Sequence, residues 1–231
     1  MGEEAKVRGE ADRKVTMQSL GAFGAQLAMR PQGRRVQEAL DTLLRRLPAG
    51  GVLIVDFDGV EMMDYSFADE ALGTLFSRMA AREYPDRYLI LAARDDELGA
   101  ALMENVEVAL ARREVAALVV PDQQVRETAA RSETELDAAF EWEEVTSDEA
   151  PDTRPIKWKV IGQLPDHLVD TLSAIMAKEQ VTVRDLVEAL DLDSATACNN
   201  RVAKLYQLHL VRRKAAVVPE GGRQYCYSSV V

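Results

Sequence analysis

Two stretches of the chain bring chemically capable side chains together. Near the C-terminus, Cys198, Val202 and Leu205 recur at the spacing of one helix face, which leaves Thr196, Asn199, Asn200, Arg201 and Lys204 on the other. An Asn amide pairs with the edge of adenine and an Arg fork with guanine, while Lys and Thr reach phosphates or bases. Arg212, Arg213, Lys214 and Arg223 follow in two β-rich segments, where cations suit a phosphate backbone or a minor groove. The same face would equally serve as a solvated surface or a protein contact. The second stretch is VLIVDFDGVEMMDYSFADEALGTLF, residues 52–76. It carries two carboxylates, Asp56 and Asp58, and then Ser66, Asp69 and Glu70 at a predicted helix start. A Ser there can take a phosphate, because free amides and the helix dipole favour an anion. Ser66 and Asp69 also have the spacing of a capping pair, and Asp64, Asp69 and Glu70 would repel an added phosphate.

The elements that must position these residues follow from periodicity. VLIVDF (52–57), YLILAA (88–93) and ALVV (117–120) are apolar runs of the kind buried on both sheet faces. Lys14–Leu20 supplies a further strand. Between the runs, Val36, Leu40, Leu43, Leu44 and Leu47 mark one helix behind Pro31. Phe67, Ala71, Leu72, Leu75 and Met79 mark a second, and Leu98, Leu102, Val106 and Leu110 a third. Strand and helix therefore alternate over 14–120, which predicts an α/β layer with a largely parallel or mixed sheet. After residue 157 the pattern changes to three helices and two β-rich segments. Thr182 caps the middle helix with Asp185 at capping-box spacing, and Pro219–Gly222 reads as a hairpin turn.

Charge divides the chain at the same place. The total is −11, with −13 over residues 1–154 and +2 over 155–231, so the acidic part should repel nucleic acid and the C-terminal part can approach it. Nine carboxylates and no Lys or Arg occupy residues 132–152, a stretch that reads as a solvated spacer. A DNA mimic competing for the C-terminal face is the sharper alternative. Cys198 and Cys226 make no disulfide framework, and with only His167 and His209 a zinc site is not expected. The polar N-terminus and the short apolar runs predict neither signal peptide nor membrane span, hence a cytoplasmic protein.

Two resemblances sharpen these expectations. NRVAKLYQLHLVRR (200–213) resembles the end of the recognition helix and the start of the wing in bacterial winged-helix regulators. It departs at His209, where that family often has Gly in a left-handed helix cap. Residues 52–76 look like the STAS-like family of bacterial proteins, in which a buried strand ends in Asp, here Asp56. A helix then opens with a Ser-Phe-Ala-Asp-Glu pattern, here Ser66 to Glu70. Better-known STAS domains bind a kinase-like partner through this helix start and are switched by phosphorylation of a Ser there. The DFDG motif (56–59) also resembles the first motif of haloacid-dehalogenase-like phosphatases, in which one Asp attacks phosphorus and the next acts as acid and base beside magnesium. Asp95 and Asp96 look like the later acidic pair, but Val60 stands where that motif has Thr, and no Lys lies between Lys14 and Lys157.

The expectation is an α/β, STAS-like domain at 14–130, an acidic segment and linker at 131–156, and a smaller winged helix-turn-helix domain at 157–231. The expected function is DNA-binding transcription regulation, with no enzyme activity and no cofactor. Double-stranded DNA would be bound by Thr196, Asn199, Asn200, Arg201, Lys204, Arg212, Arg213, Lys214 and Arg223. Ser66, Asp69 and Glu70 would form a phosphorylation or partner site. A homodimer would be the usual way for a single winged helix to read a site. The alternatives are a partner-switching protein whose winged helix binds protein, and a magnesium phosphatase using Asp56 and Asp58.

Overall fold

The computed structural model describes residues 15–127, 157–217 and 223–230. In chain order the N-terminal part runs β1 (Val15–Ser19), β2 (Gln26–Leu27), α1 (Arg30–Arg46), β3 (Val52–Asp56), β4 (Met62–Met63) and α2 (Tyr65–Ala68). A π-helical turn (Asp69–Gly73) leads straight into α3 (Thr74–Ala80), followed by β5 (Tyr88–Ala93), α4 (Glu97–Arg112), β6 (Ala116–Pro121) and α5, described over 122–127. β1, β3, β5 and β6 pair in that order and all parallel, with registers such as Ile54 opposite Ile90 and Ile90 opposite Leu118. β2 and β4 form a separate parallel pair.

The apolar runs take the central positions because no edge could shelter them. β3 and β5 are buried along their whole length, and Leu53, Val55 and Leu91 are fully enclosed, each side chain contributing about 1.5–3 kcal/mol. Spatial order follows chain order, so right-handed crossovers put α1, α3 and α4 on one face, and these helices pack side by side around the π turn. Asp96 caps α4 by accepting from the Gly99 amide at 2.8 Å. A Cβ on Gly99 would lie 2.0 Å from the Arg94 carbonyl oxygen, so only glycine lets this helix start close over the end of β5.

The sequence places residue 157 at the start of the C-terminal module. Instead β7 (Lys159–Gly162) joins the parallel sheet as its fifth strand, antiparallel to β6, and buries Ile161 there. Four residues are too few to show an alternation that would assign them to either part. The acidic segment at 131–156 lies outside the described residues.

Beyond β7 come α6 (Asp166–Met176), β8 (Val181–Thr182), α7 (Val183–Ala189), α8 (Ala195–Gln207), β9 (Arg212–Val217) and β10 (Arg223–Ser228). β8, β10 and β9 form a three-stranded antiparallel sheet in that order. The predicted capping box is present: the Asp185 carboxylate accepts from the Thr182 amide at 2.8 Å, and the Thr182 hydroxyl accepts from the Asp185 amide at 3.3 Å. Leu168, Leu172, Ile175, Leu186, Cys198, Val202 and Leu205 make the core of this part.

Hydrogen bonds and ring contacts form a seam between the two parts, beside a continuous apolar core. The Tyr206 hydroxyl donates to the Asp86 carboxylate at 2.7 Å, and the Gln207 amide to the Ala80 carbonyl at 3.4 Å. His209, buried and at φ 57°, sets its Nδ1 2.6 Å from the Arg87 carbonyl and its ring edge-on to Tyr88. The departure from Gly at this cap is thereby explained: the left-handed backbone is held by ring contacts from the other part of the chain. Arg212 donates to the Gly50 carbonyl at 2.7 Å and lies over the Tyr88 ring at 4.7 Å.

Candidate nucleic-acid interface

α8 begins at Ser194, whose hydroxyl accepts from the Thr196 amide at 3.2 Å. Burial of Cys198, Val202 and Leu205 fixes the helix's rotation and leaves Thr196, Asn199, Asn200 and Lys204 exposed, as their spacing predicts. Arg201 is half-buried, with Nη1 donating to the His167 carbonyl at 3.4 Å. Between α8 and the start of α6 runs an open groove of about 490 Å³, lined by His167, Leu168, Ala197, Asn200, Arg201 and Lys204. The groove thus combines amide and cationic groups on a helix with one apolar wall.

The hairpin cations divide. Lys214 is exposed. Arg213 is exposed but stacked between the Tyr206 ring at 4.2 Å and the Tyr225 ring at 4.5 Å, so its guanidinium is held in place beside α8. Arg223 opens β10 opposite Val217, and its side chain lies outside the described residues. Arg212 corrects the sequence reading: it points away from the hairpin surface into the seam, bonded to Gly50. Its neighbour in the chain, Arg213, takes the opposite side of the strand, as the period of two requires.

The second predicted site is built differently from its expectation. Asp64, not Ser66, caps α2: its carboxylate accepts from the Phe67 amide at 2.7 Å and from the Met29 amide at 3.0 Å. Ser66 is half-buried in the first turn. Asp69 is buried. It accepts from Arg113 Nε at 2.7 Å and pairs with Arg30 at 3.2 Å, and the Arg113 hydrogen bond holds its carboxyl below the ordinary range. Glu70 pairs with Arg30 and Arg34, both at 3.1 Å. Arg30, Arg34 and Arg113 come from α1 and the end of α4, and no local pattern in the sequence points to them.

Asp56 is buried at the end of β3, with the Asp58 amide on one oxygen at 3.0 Å and Arg126 on the other at 2.7 Å. Burial pushes its carboxyl up, and the Asp58 amide and Arg126 oppose that shift. Arg126 also pairs with Asp58 at 3.0 Å. Asp96, compared above with a later acidic residue, is engaged as the α4 cap and paired with Arg94. Among the described residues no group of three or more His, Cys, Asp and Glu side chains is placed to hold a metal ion, and no helix is long and apolar enough to cross a membrane.

With this geometry in hand, comparison with known proteins adds one family. A family model described as a STAS-like domain of unknown function (DUF4325) matches residues 32–86, from α1 to the turn before β5. No curated protein matches the chain. Among solved structures, the Aeropyrum pernix Orc1 protein in complex with DNA aligns at 10% identity over 94% of this chain and 74% of that one, with a TM-score of 0.27. So low a score carries nothing about fold or function. The chain is therefore a mixed α/β protein whose N-terminal part contains a STAS-like segment, and that segment includes both Asp56 and Ser66.

Proposed function

We propose that the chain is a cytoplasmic transcription regulator. Its C-terminal part is read as a winged helix-turn-helix that binds double-stranded DNA, with α8 as the recognition helix and the β9–β10 hairpin as the wing. Its STAS-like part receives a protein partner near Ser66, and no catalytic step is assigned. The observation that carries this reading is the exposed face of α8, where Thr196, Asn199, Asn200 and Lys204 stand together beside Lys214 and the stacked Arg213. Amides on such a helix read base edges and the flanking cations hold phosphates. Two copies would read a two-fold site.

The test is fluorescence anisotropy on selected and scrambled duplexes across a salt series. Asn200→Ala should weaken the selected site by about 1–3 kcal/mol and relax base preference at one position. Lys214→Ala should weaken both duplexes alike and flatten the salt slope by about 0.9. A second reading, in which the winged helix contacts protein, draws on the module's modest +2 charge. Equal, salt-insensitive signals on both duplexes would favour it.

A further inference from the structure

The helix that begins beside Ser66 ends on the C-terminal part. Its last carbonyls have no partners within the helix, as at any helix end, and that of Ala80 is taken by the C-terminal part. Gln207 Nε2 donates to the Ala80 carbonyl. The turn beyond supplies the rest of the seam: Asp86 to Tyr206, the Arg87 carbonyl to His209, and Tyr88 beneath Arg212. Tyr206 and Gln207 belong to the last turn of α8, and Tyr206 is also one of the two rings that hold Arg213. These hydrogen bonds and ring contacts lie beside a buried apolar core that runs on from one part into the other.

Midway along the same helix lies the π turn Asp69–Gly73. A π turn carries one residue more than an α turn, so a change between the two shifts the following segment along its axis. The π turn thus stands between Ser66 and the seam, at the place where a helix can change register.

We propose that the seam is an autoinhibitory latch: it withholds Arg212 from DNA, and a partner bound at the Ser66 end of the helix opens it. The proposal rests on the DNA-binding reading above. In the closed chain Arg212 is spent on the Gly50 carbonyl and the Tyr88 ring, while its neighbours Arg213 and Lys214 are exposed on the hairpin. Opening adds one cation to a surface on which, among the described residues, Arg213 and Lys214 are exposed, and it frees the end of α8 to adjust to a groove.

The test uses the full chain and the triple variant Asp86→Asn, Tyr206→Phe, Gln207→Ala. This variant removes two seam hydrogen bonds, keeps the ring under Arg213, and keeps at position 86 a residue that tolerates the observed φ of 54°. Amide exchange needs no DNA and reports the latch itself: residues 206–213 and 86–88 should exchange at least tenfold faster in the variant. Salt titration on a selected duplex reports the consequence. The variant should bind more tightly, with a slope steeper by about 0.9, the signature of one added phosphate contact. Adding Arg212→Gln should cancel that gain, whereas Arg212→Gln in the otherwise unaltered chain should leave the slope unchanged. Faster exchange with the same affinity and slope overturns the latch and leaves the DNA reading standing. Unchanged exchange overturns it too. Absence of salt-dependent DNA binding in every variant removes the DNA reading, and the latch with it.

Discussion

Asp69 offers the most quantitative test of how the STAS-like segment is held together. It sits in the π turn with a side chain only 10% exposed, and two arginines converge on it: Arg113 from the end of α4 and Arg30 from the start of α1. Removing one partner of a fully buried ion pair costs about 3–5 kcal/mol. Arg113 is 29% exposed and Arg30 55%, so water recovers part of that loss, and Asp69→Asn should cost about 2–3 kcal/mol at pH 7. The pH dependence has a definite sign. The folded-state carboxyl titrates below its ordinary value, so its stabilisation is complete above the unfolded value near 3.9 and is lost as the pH falls through the lower, folded value. The gap between wild type and Asp69→Asn should therefore be constant from pH 7 to about 5 and narrow progressively below about 4. Gly73 supplies an internal control. A Cβ there would lie 2.9 Å from Arg113 Nε and 3.0 Å from its Cδ, so Gly73→Ala should displace Arg113 and forfeit the ~1 kcal/mol that alanine gains over glycine in a helix. Urea unfolding of both single variants and the double variant closes a cycle. The two changes should be strongly non-additive, because they break the same contact. Additive costs, or a gap between wild type and Asp69→Asn that does not narrow at all as the pH falls from about 5 towards about 2, would refute the reasoning.

Other consequences are simpler. Asp64→Ala should cost about 1–2 kcal/mol in urea unfolding, since it removes the α2 cap, and more at the upper end because the same carboxylate bonds the Met29 amide at φ 68°. Asp56→Asn should leave the chain at least as stable at pH 7, because burial raises the folded carboxyl's pKa. The advantage of the amide is then present at neutral pH and vanishes as the pH falls below about 4, where both residues are neutral; a loss of stability at pH 7 would show that Arg126 outweighs burial. Residues 157–231 expressed alone should unfold at lower urea than the same region in the full chain, because Ile161 and the seam residue His209 lose their cover; an unchanged midpoint would show an independent unit.

How much could be read beforehand depends on the range of the interaction. VLIVDF and YLILAA announce buried parallel strands because their burial on both faces is written in consecutive residues. The rotation of α8 was legible from Cys198, Val202 and Leu205, and with it the exposure of Asn199, Asn200 and Lys204. Ser66 and Asp69 misled because capping spacing is a local signal, while the contact that claims Asp69 comes from Arg113, 44 residues away. Arg212 misled for the same reason: beside Arg213 and Lys214 it reads as one more hairpin cation, and only the fold brings Gly50 to it across 162 residues. His209 marked a real irregularity in the sequence, a non-glycine in a left-handed cap, whose cause is again a distant carbonyl.

The central claim is that α8 reads DNA sequence, and selection of binding sites from random duplexes by the full chain tests it most directly. The account predicts enrichment of a short motif, repeated in two-fold arrangement if the chain dimerises, with the preference at one position lost in Asn200→Ala. Enrichment of no sequence, together with no salt-dependent binding to the pool, would contradict it.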